Sequence, residues 1–190
     1  SRSVILDDTK LTTIKTGVWV AYRDIVNYQL RFEHSSKKSN RKYWSLAFLR
    51  KLEWKGFEEL VSKYFTLKGY KTKLTGVGPD GGVDVILANP LKEKVLVQCK
   101  SWEKPVGVKI VRELYGVMFA EKIQEGVLIC TSDFTSTARS WSLNKKLKLI
   151  SGLEFIDLLN RLDDASSRKL LAESKRGDYE KPTCPSCDKK

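Results

Sequence analysis

The chain has 190 residues, 41% hydrophobic and 31% charged, a globular balance with enough length for one domain, a real core and appendages. No run approaches the roughly 18 apolar residues of a membrane helix and no signal peptide is visible, although Ser1 is not a methionine and an anchor or targeting segment on a longer parent stays open. Lys and Arg number 35 against 23 acids, a net charge of +12; this favours a polyanionic partner, while a basic soluble protein without one would show the same balance.

Residues 1–16 are polar and weakly patterned and read as an irregular arm or edge strand. From Val18 to Phe32 the apolar positions Val18, Tyr22, Ile25, Val26 and Leu30 fall near helical spacing, which predicts an amphipathic helix. H-S-S-K-K-S-N-R-K at 34–42 is a basic polar linker and a natural boundary. His34 lies at its start and is the only histidine. It reads as solvated, and a single histidine argues against Ser-His-Asp catalysis and multi-histidine zinc sites.

Trp44 to Lys68 reads as one helix, with Trp54, Phe57, Leu60, Val61, Tyr64 and Phe65 as its buried stripe. Glu58 borders that stripe. Gly69 ends the helix as a C-terminal cap, and Lys71–Thr75 is a short strand. The stretch from Pro79 to Lys100 then reads as a β-hairpin. Asp84 stands at the start of one apolar run, Asn89-Pro90 breaks the turn, and the return strand ends on Gln98-Cys99-Lys100. Gln98 and Lys100 share a strand face because side chains alternate, and an antiparallel return brings that face near Asp84. A carboxylate and a backbone carbonyl suit a hard divalent cation. A lysine beside it would position a water or stabilise charge on a phosphoryl oxygen. A plain surface hairpin with solvated charges would also accommodate these residue types. The Gly81-Gly82 pair before the strand permits a tight turn and close approach of a ligand.

After Lys100, S-W-E-K-P is a loop. Ile110, Val111, Leu114, Tyr115 and Met118 mark a helix to about Ile123, and Val127–Thr131 is a strand. Ser132 or Asp133 caps a helix running to about Leu143. Leu147–Ile150 is a strand and Leu153–Leu162 a helix. A charged tail from Asp163 ends in C-P-S-C-D-K-K. The fold class is α/β, a mixed central sheet flanked by helices with at least one right-handed parallel crossover. Four cysteines make no disulfide framework. Cys99 and Cys130 sit in apolar strands as buried thiols, and the usage fits a reducing, cytoplasmic compartment.

W-x2-F-E-x-L-V at 54–61, G-Y at 69–70, T-G-x3-D-G-G-V-D at 75–84 and Q-C-K at 98–100 resemble the Mrr-type restriction endonuclease catalytic domain of the PD-(D/E)xK superfamily. G-V-L-I-C-T-S-D-F-T-x2-A at 126–138 and L-I-S-G-L-E-F at 149–155 extend the resemblance, which covers about residues 53 to 160. It implies a restriction-endonuclease-like fold and DNA phosphodiester cleavage with a divalent metal, Mg2+ or Mn2+. The family has Gln where other members of the superfamily have an acid, and Gln98 matches. Carried over, Asp84 is the metal-binding acid and the Cys99 carbonyl a second ligand. Lys100 is the catalytic lysine, and Glu58 the helix acid that compensates for Gln98, with Glu59 its competitor. Asp80 either holds its loop or approaches the metal. Lys104, Lys109 and Arg112 follow the site and would touch DNA phosphates, a solvated helix face being the plainer reading of each.

Three regions are expected: an N-terminal extension at 1–50, the nuclease core at 51–162 and a tail at 163–190. Cys184 and Cys187 resemble half of a zinc ribbon. Zn2+ needs four ligands, so a metal-free tail is expected for this chain alone. DNA is the implied partner, and a homodimer is compatible with the sequence. The alternatives to an endonuclease of this kind are a non-cleaving DNA-binding module and a junction-selective nuclease on the same fold.

Overall fold

The computed structural model describes residues 43–75, 82–89, 91 and 93–176. The helix expected at 18–32, the basic linker with His34, Asp80 and the C-P-S-C stretch lie outside the described residues.

The expected single helix from Trp44 to Lys68 is two. α1 spans Leu46–Lys51 and α2 spans Trp54–Leu67. The Ser45 hydroxyl caps α1 by accepting from the Phe48 N–H at 3.2 Å. Leu52 and Glu53 between the helices are extended, at ψ 130 and 163. No glycine or proline marks this break, so propensity gave no sign of it. It redirects the chain, so that α1 packs on the later helix from Gly152 while α2 lies against the sheet. Leu49 and Leu52 are both buried there. Gly69 takes φ +88 just past the helix, the left-handed conformation in which a Cβ is penalised.

The sheet has five strands in spatial order β1-β2-β3-β4-β5. They are β1 (Lys71–Leu74), β2 (Val85–Ala88), β3 (Lys94–Lys100), β4 (Glu125–Cys130) and β5 (Leu147–Ile150). β1, β2 and β3 pair antiparallel, whereas β4 and β5 join as parallel strands. The parallel crossovers are made by α3 (Val108–Ala120) and α4 (Ser136–Ser142). Thr135 caps α4, in place of the expected Ser132 or Asp133. α5 (Gly152–Asn160) starts with a capping box of Ser151 and Glu154.

Strand alternation sorts the core onto two faces. Val95, Val97, Val127 and Ile129 pack under α2 and α5 with Phe57, Tyr64 and Phe155. Leu96, Leu128 and Cys130 pack with Leu114 and Met118 of α3 on the opposite face. This is a mixed sheet sandwiched between helices, as the alternation of strands and helices implied. Within the expected charged tail, residues Asp164–Arg176 form a helix, α6. It packs on α2, and its buried Leu170 joins the first core. Its apolar positions are sparse, which is why composition hid it. Trp44 anchors it by donating from Nε1 to the Ser167 hydroxyl at 2.9 Å.

Candidate active site

β2 and β3 pair regularly as far as Val85 with Val97. Beyond that pair the Asp84 N–H still donates to the Val97 carbonyl, at 2.9 Å. The Asp84 carboxylate then replaces a ladder acceptor, taking the Cys99 N–H on Oδ2 at 2.6 Å. In an extended strand a residue's N–H and C=O point to the same side. The Cys99 carbonyl is therefore directed toward the same margin as Asp84.

Glu58 reaches this place from α2. It is 8% exposed, and its carboxyl is hydrogen-bonded to that of Asp84. Burial first, then the Asp84 charge and that hydrogen bond, push Glu58 up to about 8. Burial raises Asp84 as well, opposed by the Cys99 N–H, the Lys100 charge and the bond to Glu58. Burial and the neighbouring carboxyl thus disfavour charge on Glu58, whereas Asp84 has the Cys99 amide donor that favours its charged form. The Lys100 charge acts on both acids. Glu58, Asp84 and Lys100 are therefore brought together, as expected. Glu59, the competing acid, is half-buried on the next position of α2.

Gln98 is 3% exposed and shares strand parity with Leu96 and Lys100. Its Oε1 has no hydrogen-bond partner among the described residues. Gly82, at φ +78, lies so close to Gln98 Nε2 that a Cβ there would overlap it. The sequence suggests close approach of a ligand at this glycine; the group that approaches it is the Gln98 amide. Cys99 is buried and its thiol is pushed well above the ordinary range by burial, which makes it a structural thiol.

These groups fit a hard cation. Two crowded carboxyls, a directed carbonyl and an orphaned amide oxygen are all oxygen donors. Neither a histidine nor a thiolate is among these donors, and oxygen donors favour a hard cation over Zn2+.

The loop leaving Lys100 is held by backbone acceptors. Thr131 Oγ1 donates to the Trp102 carbonyl at 3.0 Å and Ser132 Oγ to the Lys104 carbonyl at 2.9 Å. Val106 bridges to Phe134. Trp102 is 43% exposed, with the Lys100 Nζ 5.8 Å from its ring centroid. Sequence reasoning passed over Trp102, although an aromatic two residues past the lysine in an otherwise polar loop was visible. Lys104 is exposed on the same loop. Lys109 and Arg112 are on α3, where Lys109 lies 4.0 Å from Glu113 and Arg112 lies over the Trp141 ring at 5.7 Å.

A mixed sheet with an acid pair at the margin of the hairpin and a lysine at the end of its return strand defines the class of restriction-endonuclease-like proteins. A restriction endonuclease family model, that of the Mrr catalytic domain, matches residues 49–159, and the chain belongs to that family. The type IV methyl-directed restriction enzyme EcoKMrr of Escherichia coli K12 is 36% identical over 108 residues, covering 54% of this chain and 36% of that protein. An uncharacterized protein y4cE of Sinorhizobium fredii is 35% identical over 92 residues, 46% of this chain and 24% of its own length. The chain thus spans about a third or less of these relatives. Among solved structures, the DNA modification-dependent restriction endonuclease AspBHI aligns with TM-score 0.55 and 19% identity, over 76% of this chain and 44% of its own. MspJI restriction endonuclease, in complex with an oligonucleotide, aligns with TM-score 0.50 and 20% identity, over 81% and 42%. These likenesses establish the shared fold. No helix of the described residues is long and apolar enough to cross a membrane.

Proposed function

We propose that this chain is the catalytic domain of a DNA endonuclease that hydrolyses phosphodiester bonds with the help of a divalent cation, Mg2+ or Mn2+. The observation that carries it is the buried Glu58–Asp84 carboxyl pair beside the Cys99 backbone and Lys100. Two carboxyls buried against each other are a costly arrangement in a stable core, and a cation offsets that cost. The protein's membership of a restriction endonuclease family supports the same reading.

Asp84, Glu58 and the Cys99 carbonyl would hold the cation. When bound, it would supply charge neutralisation at the phosphoryl oxygens and lower the pKa of water. The rest falls to the chain. The Cys99 N–H fixes the Asp84 carboxylate in one orientation. The Lys100 ammonium positions the attacking water and stabilises the negative charge that grows on the phosphoryl group. The Gln98 amide oxygen adds an uncharged acceptor where the wider superfamily has an acid, which leaves Glu58 to provide the second negative charge.

The test is nicking of supercoiled plasmid, methylated and unmethylated, with and without Mg2+. Cleavage should need the cation. Asp84→Ala and Lys100→Ala should each lower the rate by at least about 10²-fold while the fold and most DNA binding persist. Wild-type rates in either variant would remove the assignment of the site, and retained DNA binding with no cleavage by the wild type would leave a binding module instead.

A further inference from the structure

The indole of Trp102 is large, apolar and 43% exposed. It stands two residues beyond Lys100 on a loop whose path is set by backbone bonds to Thr131 and Ser132 and by the Val106–Phe134 bridge. Ser101 adds a donor to the Leu52 carbonyl at 3.5 Å. The loop backbone is thus tied to the segment after β4 and to the α1–α2 corner, which fixes where the ring is presented. Nothing in the core needs it there, since neither apolar cluster contains it.

Its position limits what it meets. The Lys100 ammonium lies over one face of the ring, 5.8 Å from its centroid, so a strand whose phosphate reaches Lys100 passes beside the indole and meets its opposite face. The adjoining Glu103 and Lys104 are both exposed and cancel in charge, which leaves the ring itself as the distinctive feature of the loop tip. A flat π-face next to a phosphate-binding cation is the arrangement that takes a nucleobase by stacking, with little dependence on sequence.

We propose that Trp102 is a base-stacking platform that receives a nucleobase of the strand being cut, adjacent to the phosphate at Lys100. The proposal rests on the nuclease reading for the identity of the strand. A stacked base fixes the neighbouring phosphate in register with Asp84 and Lys100, so Trp102 positions substrate and contributes no proton or charge.

The experiment uses the full chain with duplex DNA in which thymines are randomly replaced by 5-iodouracil, irradiated in EDTA so that no cleavage occurs. Cross-linked peptides are mapped by mass spectrometry. Cleavage is measured in parallel for Trp102→Ala and Trp102→Phe. The expected result is a cross-link at Trp102 that disappears in Trp102→Ala although DNA is still bound. Cleavage should fall about ten- to hundredfold in Trp102→Ala and only a few-fold in Trp102→Phe. The Ala loss should shrink on duplexes carrying mismatches, whose bases are already unstacked. A structural role for the ring would lower cleavage of matched and mismatched DNA alike. DNA bound without a cross-link at residue 102, or Trp102→Ala cleaving as the wild type does, would overturn the proposal. A cross-link at Trp102 in a protein that never cleaves would keep the platform and overturn the nuclease reading. Absence of any DNA binding would overturn both.

Discussion

Glu58 and Asp84 come from a helix and a strand end that are far apart in sequence, and burial holds their carboxyls together. Glu58→Gln keeps the shape and removes the carboxyl that would ionise to meet the cation. It should weaken Mg2+ binding and lower cleavage by about 10²-fold or more at a fixed Mg2+ concentration. Glu59→Gln, one position on, should stay within about twofold. Titrating the cleavage rate against Mg2+ checks both, and Gln98→Glu in the Glu58→Gln background should partly restore activity. A loss in Glu59→Gln with Glu58→Gln near wild type would move the second acid to Glu59. Gly82 carries its own expectation. Its φ of +78 and the Gln98 amide against it mean that Gly82→Ala should cost about 1–3 kcal/mol, read from a urea midpoint. The site was legible at this scale where chemistry is local, in Asp84 and Gln98-Cys99-Lys100. That the border position Glu58 faces Asp84 depends on how α2 lies on the sheet, and only the three-dimensional packing brings it there.

The strands and helices from Lys71 to Asn160 follow their expected order because each carries a readable apolar pattern bounded by turn residues, such as the short run Val95-Leu96-Val97 or the helical spacing of Ile110, Val111 and Leu114. Misreadings fell where tertiary contact overrides pattern. The break at Leu52–Glu53 has no breaker residue, and α6 has too few apolar positions to stand out. At the edge of the sheet, β5 gives a pH test. Lys148 is half-buried, and burial lowers its pKa to about 8 against a small pull upward from Glu154. Between about pH 8 and the ordinary value of 10.5 the folded chain has shed a proton that the unfolded chain keeps. This contribution to stability is therefore present above 10.5, grows with pH across that window, and is lost as pH falls through about 8. Lys148→Met should be more stable than the wild type at pH 7 by about 1–3 °C in Tm. The gap should close as pH rises toward 10. A gap independent of pH would show that Lys148 is charged and well solvated in the fold.

At the scale of the molecule, the first and last described segments close on each other through Trp44 and Ser167, 3% and 2% exposed. Ser167→Ala leaves the indole N–H without its acceptor and should cost about 1–3 kcal/mol in urea unfolding. Cleavage should stay near wild type below the unfolding transition, because the Trp44–Ser167 bond uses none of the site residues Glu58, Asp84 and Lys100. The net charge of +12 bears on the partner. Each phosphate neutralised by a cationic side chain releases condensed counterions, so affinity for DNA falls as a power of salt concentration. With about four to six such contacts, the binding constant should drop about 10²- to 10³-fold between 50 and 200 mM salt. The structure separates the candidates for these contacts. Lys104 is exposed on the loop leaving Lys100, so Lys104→Ala should reduce the slope by about one ion. Arg112 lies over the Trp141 ring, and Arg112→Ala should leave the slope unchanged while costing some packing. Fluorescence anisotropy of a labelled duplex across a salt series, in EDTA, measures both. A slope near zero for the wild type would remove nucleic acid as the partner, and a slope lowered by Arg112→Ala but not by Lys104→Ala would shift the DNA track from the loop onto the face of α3.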